Sequence, residues 1–345
     1  MRSYKVASNR IHNKFVNAPN PNNEDPSASL WQISRAYFTA ERQGREPESQ
    51  IPVLPIQPAQ LDKQHNSIFR LGHSTVLMQL DGKLILTDPV FSYRASPFQW
   101  MGPKRFHQSP ISTEALPDID VVVISHDHYD HLDKSAINIL KDKVKKFVTP
   151  LGVGQHLVRW GVSSGNIIEL DWWQSVTIDG INFVATPAQH FSGRGLRDGN
   201  KTLWASWVIQ SSNKSVFFSG DSGYFDGFKQ IGDEYGPFDI TLIETGAYND
   251  MWSSVHMMPE QSLQAHLDLG GHHMLPIHNG TFDLSFHTWF EPLERILALA
   301  NENNVSLLTP KFGQEVTLDR SLETSRWWRE MLEIRVRENL TAAEL

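Results

Sequence analysis

The stretch SHDHYDHLD, residues Ser125 to Asp133, places three histidines and three aspartates within nine residues, directly after the apolar run Ile119-Asp120-Val121-Val122-Val123-Ile124. Such a run reads as a buried strand. A plain loop behind it calls for turn formers, not three imidazoles. His126 and His128 are two apart, so at a strand end they project to the same side. Asp130 and His131 follow where the chain turns towards a helix, with Asp133 as its N-cap and an end near Leu140. Four candidate ligands thus meet at one strand end, where α/β sheets bind their ligands. Histidine and carboxylate ligands suit zinc, and also manganese or iron. Asp130 and His131 diverge from His126 and His128, so one tetrahedral ion cannot readily use all four, whereas two neighbouring ions can.

Three further strand-to-loop junctions each carry one ligand type. FVATPAQH ends in His190, VFFSGDSGY holds Asp221, and HHMLPIHNGTF holds His278. Any one alone reads as a cap or turn residue. Together, as equivalent places along a shared sheet edge, they read as the rest of a two-metal ligand set.

The chain has 345 residues, 40% of them apolar, enough for a large buried core in one big α/β domain or two smaller ones. The net charge of −8 argues against broad binding of a nucleic-acid backbone. With no cysteine, disulfides and zinc–thiolate sites are excluded, and the 15 histidines are the main soft ligands. The first twenty residues lack the apolar core of a signal peptide, and no stretch approaches a membrane span, so a cytoplasmic protein is expected. Residues 1–60 are polar and proline-bearing. They read as an extension packing on the core, with one amphipathic helix carrying Leu30, Ile33, Ala36, Tyr37 and Ala40. Residues 61–345 read as a single domain.

Within that domain, SIFRLGHSTVLMQLDGKLILTDP predicts strand, turn, strand, with Asp81-Gly82 as the hairpin turn. LWASWVIQSSNKSVFFSGDSGYF predicts a hairpin, and FDITLIETGAY another strand-to-loop junction. Helices are predicted in MMPEQSLQAHLDLGG, over 289–303 and over 322–340. Strands joined by both hairpins and helices imply a layered α/β fold with mixed sheets. GDSGY is not the G-x-S-x-G elbow of a serine nucleophile.

The pattern His126-x-His128-x-Asp130-His131, followed by His190, Asp221 and His278, resembles the HxHxDH motif and later ligands of the metallo-β-lactamase superfamily. The resemblance spans roughly residues 67 to 300. It implies a four-layer αββα sandwich with two mixed sheets and two zinc ions. One ion would take His126, His128 and His190, and the other Asp130, His131 and His278. Asp221 would bridge them, with a hydroxide between the ions as nucleophile and Asp130 and Asp221 as the carboxylates of the catalytic centre. Asp88, in LILTDP, resembles the aspartate that orients the ligand loop.

Within the superfamily, LGHSTVLMQLDGKLILTDPVFSYRASPFQWMGPKRF, TPAQH, LWASWVI, FFSGDSGY, GAY and IHNGTF resemble the N-acyl-phosphatidylethanolamine phospholipase D group, which includes bacterial zinc-dependent hydrolases. The resemblance implies phosphodiester cleavage releasing N-acylethanolamine from a membrane phospholipid. Asn279 stands where the animal enzyme has Trp, and Glu244-Thr245 where it has Pro-Ile, which leaves the substrate open. HMMPE favours an alternative, a lactonase acting on a phosphorylated sugar lactone. A non-enzymatic metal-binding protein is disfavoured by the intact ligand set, and the nucleic-acid-processing members by the acidic charge. Lys104 and Arg105 are candidates to clamp a phosphate, Tyr224 and His256 to touch substrate, and MWSSVHMMPE to line an acyl pocket. The expected partner is a phospholipid or other small ester, with peripheral membrane contact through Leu30–Ala40 or Met251–Met258, and no nucleic acid. An oligomer is compatible with all of this.

Overall fold

The computed structural model describes residues 7–20, 35, 39, 43–61, 65–320 and 324–333. Its strands are apolar on both faces, and that decides the architecture. Val76, Met78 and Leu80 enter one buried cluster while Leu77 enters another. Val121 and Val123 face the first cluster, Val122 and Ile124 the second. Phe183 and Ala185 share that first cluster, whereas Val184 points into a third. With side chains alternating along a strand, an element apolar on both sides must be covered on both sides.

The covering is four layers deep. One seven-stranded sheet runs β16-β3-β4-β5-β6-β7-β8, with β3 Ser67–Gly72, β4 Thr75–Leu80, β5 Lys83–Thr87, β6 Ile119–Val123, β7 Val144–Pro150, β8 Ile167–Leu170 and β16 Glu315–Thr317. The other runs β15-β14-β13-β12-β11-β10-β9, with β9 Ser175–Ile178, β10 Ile181–Thr186, β11 Ser206–Gln210, β12 Ser215–Phe218, β13 Phe238–Glu244, β14 Gly271–Ile277 and β15 Ser306–Leu307. The first cluster lies between the sheets. On the outer face of the first sheet pack α1 Lys134–Leu140 and α2 Gly154–Arg159, through Ile137, Leu140 and Leu157. On the outer face of the second pack α3 Gly227–Tyr235, α4 Pro259–Asp268 and α5 Glu291–Glu302, through Phe228, Ile231, Leu263 and Ile296. This is the αββα sandwich, with two mixed sheets.

One local expectation is corrected. SIFRLGHSTVLMQLDGKLILTDP forms three strands, not two, because a tight turn at His73-Ser74 separates β3 from β4. Asp133 does cap α1, accepting from Ser135 N at 2.8 Å. A short hairpin, β1 Asn9–Ile11 with β2 Lys14–Val16, puts Phe15 into the inter-sheet core, its N–H donating to Asn200 O at 2.8 Å. The amphipathic stripe at Leu30, Ile33, Ala36, Tyr37 and Ala40 lies outside the described residues, as does the end of the last expected helix beyond residue 333.

Strand direction gathers the chemistry. β3, β5 and β6 run the same way in the first sheet, and β10, β12, β13 and β14 run the same way in the second. Their C-terminal ends carry, in order, His73, Asp88, the 126–131 stretch, His190, Asp221, Glu244 and His278. The edge is therefore not one shared edge but two facing ones, locked together where Ala205 N donates to Ser125 O at 3.0 Å.

Candidate metal centre

All seven expected ligands converge. His126 Nε2 and His128 Nδ1 are 2.9 Å apart, and His128 Nδ1 and His190 Nε2 are 3.2 Å apart. Asp130 Oδ2 lies 3.5 Å from His131 Nε2 and 3.4 Å from His278 Nε2. Asp221 Oδ2 stands between the two groups: 3.1 Å from both His131 Nε2 and His278 Nε2, 3.7 Å from His190 Nε2 and 3.9 Å from His126 Nε2.

These residues fit divalent ions. His126, His128 and His190 turn three imidazole nitrogens towards one point, and His190 Nδ1 already donates to Val255 O at 3.0 Å, which leaves its Nε2 as a lone pair. Nitrogens about 2.0–2.1 Å from a tetrahedral zinc sit roughly 3.3 Å from one another, close to the spacing here. His131 Nε2, His278 Nε2 and Asp221 Oδ1 are buried without a hydrogen-bond partner, an arrangement that a protein interior rarely leaves without an ion or water. Burial works against ionisation of Asp130 and Asp221, yet the neighbouring imidazoles of His131 and His278 hold both well below the usual carboxylate range. His126 is pushed well below the ordinary histidine range by burial and by His131, His128 and His190, so it stays a neutral ligand.

The ligand stretch is braced from behind. Asp88 Oδ2 meets His131 Nδ1 at 2.6 Å, fixing which nitrogen faces the cluster, while Ser125 donates from N (2.7 Å) and Oγ (2.6 Å) to the same carboxylate. Asp127 points the other way. It accepts from Gly193 N at 2.8 Å and Thr202 Oγ1 at 2.9 Å, and it meets His156 Nε2 at 3.1 Å. Arg194 donates to Asp127 O at 2.6 Å and Leu132 O at 2.7 Å, with its guanidinium over the Tyr129 ring. Gly220 sets Asp221: at φ +56°, a Cβ there would fall 2.5 Å from that of Ser125. Asp88 and His278 also hold positive φ, +33° and +63°, strained backbone of the kind that concentrates at functional sites.

Two residues join the centre that the sequence reading did not assign. His73 Nε2 lies 3.1 Å from Asp130 Oδ2, and its ring packs 3.9 Å from that of His278. Glu244 is fully buried, accepts from Ser222 N at 2.7 Å and contacts His256 Nδ1 directly. Its carboxyl is raised by burial, against the pull of His256. His256, expected at the substrate, does lie beside the cluster, 5.1 Å from the His190 ring and 5.5 Å from that of His278.

The other expected contacts separate. Tyr224 is not brought to the cluster: its hydroxyl donates to Asp268 Oδ2 at 2.6 Å, at the end of α4. Lys104 and Arg105 do not act as a pair. Arg105 is buried and spends Nη2 on Val90 O at 2.5 Å and Nε on Ser92 O at 3.3 Å, while Lys104 is exposed beside the Tyr93 ring. In MWSSVHMMPE, Met257 belongs to the core under α4.

Comparison with known proteins agrees with this geometry. Residues 83–279 match the family model described as a beta-lactamase superfamily domain. A protein of Mycobacterium tuberculosis with no assigned function is 43% identical over 89% of this chain and 85% of its own length. The N-acyl-phosphatidylethanolamine-hydrolyzing phospholipase D 1 of Caenorhabditis elegans is 37% identical over 76% of this chain and 79% of that protein. Among solved structures, Igni18, a metallo hydrolase from Ignicoccus hospitalis, superposes with a TM-score of 0.57 at 22% identity, over 75% of this chain and all of that one. The chain belongs to the beta-lactamase superfamily, in the company of N-acyl-phosphatidylethanolamine-hydrolysing relatives, and is a metal-dependent hydrolase of that fold.

Proposed function

We propose that the protein is a dinuclear zinc hydrolase that cleaves a phosphodiester of an N-acyl-phosphatidylethanolamine-type lipid, releasing N-acylethanolamine and phosphatidic acid. The observation that carries the two-metal part is Asp221 Oδ2, which reaches nitrogens of both histidine groups at 3.1–3.9 Å. The substrate rests on the likeness to the Caenorhabditis elegans phospholipase D. His126, His128 and His190 would hold one ion and Asp130, His131 and His278 the other, with Asp221 between. Manganese or iron suits the same donors. Bound there, such ions lower the pKa of water to about 7 and offset phosphoryl charge.

The chain's own residues supply the rest. Asp88 keeps His131 in one tautomer, and His73 steadies Asp130 through the same oxygen that faces His131. The buried Glu244 orients His256, whose other ring nitrogen is then available to a substrate oxygen. Of the expected pair, Lys104, exposed in a groove lined also by Tyr93, Arg105 and Phe106, is the one that can reach a phosphate. Residues 61–345 form the hydrolase domain in this reading, with 1–60 as an extension packed on it.

The test is release of N-acylethanolamine from N-acyl-phosphatidylethanolamine in mixed micelles, abolished by chelation and restored by zinc, beside elemental analysis giving close to two ions per chain. Rapid opening of a phosphorylated sugar lactone with no lipid cleavage would replace the phospholipase reading with the lactonase one.

A further inference from the structure

Between Asp88 and Glu114 the chain has no acidic residue, although the whole protein carries a net charge of −8. The middle of this stretch is a projecting hairpin. Arg105 N donates to Tyr93 O at 2.9 Å, Ala95 N to Pro103 O at 3.1 Å, and Arg94 pairs with Lys104 as an antiparallel bridge. Its tip is held by an exposed bond, Arg94 Nη1 donating to Gly102 O at 2.5 Å. The tip then turns its large apolar side chains outward: Trp100 is 74% exposed, Met101 52% and Phe98 49%, with the Phe98 and Trp100 rings 5.5 Å apart. Tyr93, 52% exposed, stands at the base with the Arg94 and Lys104 cations both within 5.6 Å of its ring. Exposed aromatics grouped on one tip are a cost to a protein in water unless something covers them.

The base of the hairpin is fastened to the metal centre on both sides. Phe91 N and Ser92 N donate to Asp133 Oδ2 at 3.1 and 2.8 Å, two residues after His131. Phe106 N donates to Thr281 O at 2.9 Å, and Arg105 sits over the Phe282 ring, which packs 5.3 Å from His73. A groove of about 730 Å³ opens at this base, lined by Tyr93, Lys104, Arg105 and His107 with no carboxylate, and its wall Phe106 also borders the small cavity at His278. Across the cluster, Phe191 is 44% exposed against the His128 and His190 rings.

We infer that the 93–105 hairpin docks the protein on the surface of an anionic phospholipid bilayer, with Phe98, Trp100 and Met101 entering the interface and Arg94 and Lys104 lying at headgroup level. The inference rests on the phospholipid reading above and adds where the lipid surface meets the chain. Aromatic side chains flanked by cations match the two layers of such a surface, acyl boundary below and negative headgroups above. The earlier candidate Met251–Met258 serves this less well: none of its side chains is exposed, Met257 is in the core, and Trp252 Nε1 is spent on Ala247 O.

The experiment is co-sedimentation of the full metal-loaded chain with phosphatidylcholine vesicles, with and without phosphatidylglycerol. The wild type is expected to sediment with the mixed vesicles. The double variant Phe98→Ser/Trp100→Ser should bind about tenfold more weakly or worse on both compositions. Lys104→Gln should lose about fivefold on the anionic vesicles alone. Because Phe98 and Trp100 are exposed and touch no ligand, the double variant should keep its metal content and melting temperature. Wild-type chain that stays in the supernatant, or a tip variant that sediments as well as wild type, overturns the docking. So does a wild-type dimer that the tip variant converts to monomer with vesicle binding unchanged, since a second copy would then be the cover. Hydrolysis of micellar N-acyl-phosphatidylethanolamine is measured separately. Release without vesicle binding removes the hairpin and leaves the phospholipase reading. Tip-dependent binding without release keeps the hairpin and removes that reading.

Discussion

In the first sheet four candidate ligands occupy six consecutive positions after one strand, whereas in the second His190, Asp221 and His278 arrive singly from three strands. The two halves are held in correspondingly different ways. The 126–131 stretch leans on side chains: Asp88 behind Ser125 and His131, Asp127 tied to the 193–202 loop, and Arg194 clasping the Asp127 and Leu132 carbonyls at either end. The single ligands lean mainly on backbone. His190 Nδ1 donates to Val255 O, His278 N donates to His73 O, and Asp221 follows a glycine in a left-handed turn. A dense ligand loop has no regular ladder to fix it, so it borrows carboxylates. A single ligand one to four residues beyond its strand takes its position from the sheet and from backbone partners.

The largest effect should come at the residue common to both halves. Asp221→Ala is expected to lower turnover by more than the roughly 10–100-fold typical of losing an outer support, and to strip metal from both sites. His128→Ala, which touches one group, should cost less. Elemental analysis and turnover on one preparation check this. A variant lacking Asp221 that keeps two ions and wild-type turnover would remove the bridge.

Supports of the two kinds should then differ. Asp88→Asn leaves a single acceptor oxygen for Ser125 and His131 together and should weaken metal retention about 10–100-fold in a chelator competition. Asn17→Ala removes the acceptor of His190 N (3.0 Å) but leaves its ring bond to Val255 O, so less than tenfold is expected. Equal losses would break the contrast between halves. Arg194→Ala comes next. It frees two backbone carbonyls and the faces of Tyr129 and Trp160. Hydrogen bonds to a charged group are worth about 1.5–3 kcal/mol, so chemical denaturation should show a loss of that order, with metal retained at saturating zinc.

The same contrast governs what was legible in the sequence. The contiguous half announces itself, since SHDHYDHLD has no bland reading. The single ligands were legible only through their junctions, each an apolar run ending in small residues. His73 escapes because its two-residue turn carries no glycine or Asn-Gly signal, so the sequence reads through it as strand. Glu244 escapes because it is the last residue of β13, and its partner His256, twelve residues on, meets it only in the fold. Tyr224 misled in the opposite sense. Three residues after Asp221 in sequence, it is carried by the approach to α3 onto Asp268. Lys104 and Arg105 are adjacent yet face water and interior, as neighbours on an extended chain do.

A buried histidine far from the cluster gives the last test, because it is buried without belonging to the ligand set. His266 lies on α4 against Gly271, at the opposite end of β14 from His278, with Nδ1 2.8 Å from Thr241 Oγ1. Burial pushes its pKa down to about 4 from an ordinary 6.5, and His273 and His272 push the same way. The folded state therefore refuses a proton that the unfolded chain accepts. Stability from this group is complete above pH 6.5 and is lost as pH falls from 6.5 to about 4, by at most roughly 3 kcal/mol. His266→Gln removes the titration, so the wild type should lose stability relative to the variant between pH 7.5 and pH 5. Taking the difference between the two proteins at each pH cancels the ligand histidines, which both share. Denaturation midpoints whose difference is the same at both pH values would show that His266 takes up its proton in the folded state, against the burial argument.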